Sequence, residues 1–68
     1  MAECDACLQL IGRPANAERH AALSAFTGRK AANGWHEMYM CRACGARLQR
    51  VMPEPGSGED GEPWAKAG

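Results

Sequence analysis

Four cysteines in two C-x2-C pairs are the residues of this 68-residue chain best equipped for chemistry. Cys4 and Cys7 lie in "ECDACLQL", and Cys41 and Cys44 lie in "YMCRACGARLQRV". Two intervening residues let both sulfurs of a pair point at one centre, while N–H groups of the turn aim at them and offset thiolate charge. Two such pairs make a tetrahedral S4 set, which suits Zn2+ or a single iron. The 33 residues between the pairs exceed the usual gap of about 15–20. Loop-closure cost grows only slowly with length, so a long arm is allowed. The alternatives are two disulfides, or free thiols without an ion. A thioredoxin-like redox motif needs a βαβ frame, and this chain is too short to supply one.

Other candidates are weaker. His36 stands on the run entering the second pair, where it could replace one cysteine as a ligand or donate a hydrogen bond to a bound thiolate. His20 reads as a solvent-facing or packing histidine. Arg29, Lys30, Arg42, Arg47 and Arg50, with Trp35 and Tyr39 on the adjacent run, form a possible surface for single-stranded nucleic acid through phosphate contacts and base stacking. The competing reading packs the aromatics against Leu23 and Phe26 and leaves the arginines in water. No nucleophile–base pair and no phosphate-cradling loop stands out, and four thiolates leave a metal no open position for water. The expectation is therefore not an enzyme.

Size and composition bound the rest. A chain of this length forms one domain, whose core seldom supplies more than about 3–5 kcal/mol. Much of the 46% hydrophobic content is alanine, which buries little area. A cross-link is therefore expected to supply part of the folding free energy. The first residues, "MAECDACLQLIGRP", show no basic n-region and no apolar run of signal-peptide length. A cytoplasmic setting with reduced thiols follows, and there cysteine pairs read as metal ligands or redox groups before staples. Residues 1–52 carry seven basic against four acidic side chains, a net +3, and residues 53–68 one against four, a net −3. That falls short of the strongly basic face that argues for nucleic acid. No membrane association, no small-molecule substrate and a monomer are expected.

Four elements should position the cysteines. Leu8, Leu10 and Ile11 predict a brief strand, ended by Gly12 and Pro14. Residues 14–28, "PANAERHAALSAFTG", predict a helix over 16–27, with Asn16 as N-cap, Glu18 in the first turn and Gly28 past the end. Asn33-Gly34 marks a turn. "WHEMYMC" and "GARLQRVM" alternate in polarity, predicting a hairpin over 35–52 with C-R-A-C-G at its tip. Residues 53–68, "PEPGSGEDGEPWAKAG", predict a disordered acidic Pro/Gly-rich tail separate from a domain at 1–52. Trp64 in that tail is either incidental or a short anchor for a partner.

"YMCRACGARLQRV" resembles the second knuckle hairpin of the zinc ribbon group, and "CDACLQLI" resembles a first knuckle with its strand. The resemblance implies zinc-ligand roles for Cys4, Cys7, Cys41 and Cys44. It covers the two ends of the 1–52 segment. Leu8 stands where the second knuckle has Gly45, and the helix at 16–27 is foreign to a plain ribbon. "CRACGA" is also similar to a rubredoxin knuckle, which implies one iron and electron transfer. Taken together, the expected fold is a small α+β metal-stapled domain, a zinc ribbon-like hairpin with one helix between the knuckles. The expected function is a structural-zinc binding module, an adaptor for a protein or nucleic-acid partner. The alternatives are a rubredoxin-like iron carrier and a thiol redox or metal-storage protein.

Overall fold

A computed structural model describes residues 3–32, 34–56, 58 and 60–67. Its elements in chain order are α1 (Asp5–Leu10), β1 (Leu23–Ala31), β2 (Gly34–Cys41), β3 (Arg47–Pro53) and β4 (Glu62–Lys66). The strands form one sheet in the order β1-β2-β3-β4, with every neighbouring pair antiparallel.

The β2–β3 hairpin follows directly from the alternation in its sequence. Tyr39 pairs with Leu48, Glu37 with Arg50 and Trp35 with Met52, so these six share one face. His36, Met38 and Met40 pair with Val51, Gln49 and Arg47 on the other. Leu23 pairs with Cys41, which extends the first face onto β1. Cys7 and Leu10 of α1 pack there with Leu23, Tyr39, Cys41, Leu48 and Trp64 as the core. One face of the sheet is thus covered by α1 and by parts of the segment that follows it. Between β1 and β2 the ladder closes on Ala31 and Gly34. A Cβ on Gly34, where φ is 152°, would stand 1.9 Å from the Met52 carbonyl oxygen, so only glycine fits. Asn33, the other half of the expected turn, lies outside the described residues.

Three expectations need correction. Residues 8–11 are not a strand: Leu8 and Leu10 belong to α1, with Leu8 exposed and Leu10 buried. Nor do residues 16–27 form a helix. Residues 14–22 run as turns and irregular chain, and β1 begins at Leu23. Alanine favours helix by only a fraction of a kcal/mol per residue. That preference yields to a full ladder against β2, in which Phe26 occupies a bulge between Ala25 and Thr27. The third correction concerns the segment expected as a disordered tail. Glu62–Lys66 form β4 against β3, so the sheet draws on residues either side of the 52/53 boundary.

Trp64 is the reason that β4 docks. Its side chain is 1% exposed and its ring centroid lies 5.1 Å from that of Tyr39. Its backbone N–H donates to Arg13 O at 3.0 Å, and its carbonyl accepts the Gly12 N–H at 2.7 Å. The indole Nε1–H donates to Ala17 O at 2.9 Å. Trp64 therefore ties the chain after α1 to the last strand.

Arg50 completes this junction. Its guanidinium lies 4.6 Å from the Trp64 ring centroid and 5.4 Å from that of Tyr39. Its Nε donates to Glu37 at 2.8 Å, Nη2 donates to the Tyr39 hydroxyl oxygen at 3.1 Å, and Nη1 donates to the carbonyls of Ala15 and Ala17. The planar fork suits this many fixed acceptors, which a lysine could not reach. No helix among the described residues is long and apolar enough to cross a membrane.

Candidate metal centre

Each cysteine pair is placed by a different backbone device. Cys4 is the N-cap residue of α1, extended at φ −69° and ψ 163°, and Cys7 lies in its first turn. The carbonyls of Cys4 and Cys7 accept the N–H groups of Leu8 and Ile11, both at 3.0 Å. A spacing of three on a helix puts both sulfurs on one side. A helical first pair also explains why Leu8 stands where a knuckle would carry glycine: continuing the helix asks for no positive φ.

The second pair sits in a tight turn, here called the knuckle. Cys41 ends β2, its N–H donates to Ala46 O at 2.8 Å, and its carbonyl accepts the Gly45 N–H at 2.8 Å. Gly45 adopts φ 78°, the left-handed conformation that glycine takes without steric cost. Arg42 N–H donates to Ala22 O at 2.8 Å, which fastens the knuckle to the chain entering β1.

The fold brings all four sulfurs together, within 4.8 Å of one another. Cys4 Sγ lies 3.8 Å from Cys41 Sγ, and Cys7 Sγ lies 3.8 Å from Cys44 Sγ. A tetrahedral ion with Zn–S bonds of about 2.3 Å sets sulfur–sulfur edges of about 3.8 Å, so these two edges already match. All four cysteines are free. The group could hold one metal ion, and its donor chemistry admits zinc and iron alike.

The thiols are not equivalent. Backbone N–H groups of Cys4 and Ala46 hold Cys44 down at about 6, so it is mostly thiolate at neutral pH. Burial pushes the Cys7 thiol well above its usual range, and the neighbouring thiols add to this. Because metal ligands must be deprotonated, an arriving cation meets Cys44 as an anion, whereas Cys7 yields its proton against the ion's charge.

The histidines do not lie where the sequence placed them. His36 Nε2 lies 2.9 Å from Gln49 Oε1, on the sheet face away from the core. His20 Nε2 lies 3.1 Å from Cys7 Sγ. Sequence reasoning missed His20 because it lies 13 residues from Cys7. Only the turn into β1 carries it back to the cluster.

The basic and aromatic residues grouped in sequence are not gathered on one surface. Tyr39 is 4% exposed in the core, and Arg50 reaches into the Trp64 junction. Trp35 is exposed and lies against Gly28. Lys30 forms an ion pair with Glu54. Arg42 is exposed in the knuckle turn. Arg29 and Arg47 share the outer face with His36 and Met40, and the Arg47 guanidinium lies 5.9 Å from the Phe26 ring centroid. Compared with protein family models, curated proteins and solved structures, the chain gives no match.

Proposed function

We propose that this chain is a small binding module built around one structural zinc ion held by Cys4, Cys7, Cys41 and Cys44. The observation that carries this reading is the convergence of four sulfurs from α1 and the β2–β3 knuckle. Four thiolates fill a tetrahedral ion and leave no site for water or substrate, so the ion is a staple and the module is not an enzyme. The staple joins the start of the chain to the centre of the sheet. A cytoplasmic location, where thiols stay reduced, belongs to the same reading.

The test is metal identity. The untagged protein is purified without chelator from cells supplied with both iron and zinc, then studied by native mass spectrometry and visible spectroscopy. One colourless zinc per chain is expected. One iron with a red chromophore replaces the reading with a rubredoxin-like electron carrier, for which the same S4 set serves. Two disulfides and no metal overturn it.

The adaptor role is assigned to the outer sheet face. Phe26 and Met40 are 51% and 42% exposed, Arg47 pairs with Met40 and reaches the Phe26 ring, and Arg29 stands on the same face opposite His36. Aromatic residues, Met and Arg are enriched in protein interfaces. Two arginines are a small phosphate-binding set, and the net charge of the chain is zero, so the partner in this reading is a protein. A gel shift on single-stranded oligonucleotides at low salt is expected to show no complex. A complex that dissolves with salt and with Arg29→Ala and Arg47→Ala reassigns the face to nucleic acid.

A further inference from the structure

We infer that His20 is the positioning residue of the metal centre, donating an Nε2–H···S hydrogen bond to the Cys7 thiolate and thereby setting the affinity for the ion. The inference rests on the metal reading above and adds a residue outside the ligand set.

Three observations lead to it. His20 Nε2 approaches Cys7 Sγ at 3.1 Å, while His20 Nδ1 accepts the Ala22 N–H at 3.3 Å. A neutral imidazole carries one proton. With Nδ1 accepting, that proton is on Nε2, so the ring donates to sulfur. The Ala22 amide acts here as a tautomer lock. Second, the turn that carries His20 is itself fixed. Leu23 N–H donates to His20 O at 3.1 Å, and Ala22 O accepts the Arg42 N–H at 2.8 Å. Ring, turn and second knuckle are thus joined by hydrogen bonds. Third, Cys7 is 0% exposed, so water cannot solvate its thiolate. A buried anion without a donor is costly, and a charge-assisted hydrogen bond is about twice as strong as a neutral one. Four thiolates around a divalent cation carry a net charge of −2. A donor on the most buried sulfur relieves that excess where solvent does so least.

Partners of this kind orient ligands and raise metal affinity by about 10–100-fold. The ring supplies direction as well as charge. A hydrogen bond to sulfur disfavours Cys7 rotamers that turn Sγ away from the other three. The inference therefore predicts a tighter site, and not merely a better packed one.

The test uses the full chain with Cd2+ as a spin-active probe in place of zinc. In the wild type, the long-range nitrogen–proton spectrum of His20 is expected to show a bare Nδ1 and a protonated Nε2. A proton–cadmium correlation from Hε2 should cross the N–H···S bond. His20→Leu is expected to lower Cd2+ affinity about 10–100-fold in chelator competition. His20→Gln, whose amide can bring an N–H close to the Nε2 position, should recover most of that loss. A proton on Nδ1, absence of the correlation in a Cd2+-loaded protein, or a His20→Leu affinity equal to wild type overturns the inference. The two wild-type readouts decide the matter even if His20→Leu does not fold. A wild type that takes up no Cd2+ at all is a different outcome, and it overturns the metal reading itself.

Discussion

Chelating the metal from the purified protein is expected to unfold the domain. In the reading proposed above, the ion links α1, which is only six residues long, to the β2–β3 knuckle. A helix of that length does not hold in water unaided. Two of the four cysteines, Cys7 and Cys41, are also members of the hydrophobic core. The native fold holds the four sulfurs within 4.8 Å of one another. Cys44 remains anionic at neutral pH, held at about 6, and repels any further thiolate that forms. Binding free energies for structural zinc in small peptides reach about 10–16 kcal/mol. The apolar core of a chain this size supplies about 3–5 kcal/mol. The metal is therefore the larger contribution, and its loss cannot be offset. Far-ultraviolet circular dichroism and amide dispersion should collapse on chelation and return on adding Zn2+. Cys41→Ser should behave as the chelated wild type even with zinc present. Retention of native dispersion after complete metal removal would show that the sheet stands on its own packing, and that the ion is no staple.

Trp64→Ala is expected to cost about 3–5 kcal/mol, the range for removing a large buried aromatic. The side chain is 1% exposed and contacts both Tyr39 and the Arg50 guanidinium. Truncation leaves a cavity and also strips the Ala17 carbonyl of its indole donor. Arg50, stacked against a missing ring, keeps its hydrogen bonds but loses its cover. The loss is comparable to everything the core supplies, so the variant should depend wholly on its metal. Denaturant midpoints of the zinc-loaded proteins measure this, with Trp64→Phe as the control. Phenylalanine keeps most of the volume and loses the hydrogen bond to Ala17, which is worth about 1–2 kcal/mol. A chain ending after residue 60 should fall with Trp64→Ala. If that shortened chain unfolds at the wild-type midpoint, β4 contributes nothing to the fold.

How much of this was legible in the residues differs from element to element. The pairing of the four cysteines was, because C-x2-C is a local device and two copies of it in a small chain leave few other uses. The hairpin of β2 and β3 was legible for a similar reason. Alternating polarity, a knuckle glycine at position 45 and close sequence neighbours specify register without help from elsewhere. The prediction failed where long-range contacts outweigh weak local preference. Residues 14–28 are rich in alanine and look helical. From Leu23 onward, however, they gain a complete ladder against β2, a larger stabilisation than helix propensity offers.

The tail misled in the opposite direction. Proline, glycine and acidic residues at 53–62 signal a chain with nothing to bury, and that signal hid a single tryptophan with a place to go. The place is built from Ala17, Tyr39 and Arg50, which lie 47, 25 and 14 residues away in sequence. His20 shows the same limit within the site. Its identity says nothing about sulfur, and its contact with Cys7 comes from a turn that folds it back over the cluster. The cysteine pairs and the hairpin were readable because each is a local device whose members are near in the chain. The covering strand, the Trp64 junction and the histidine at the cluster exist only because the folded backbone brings distant residues to one point.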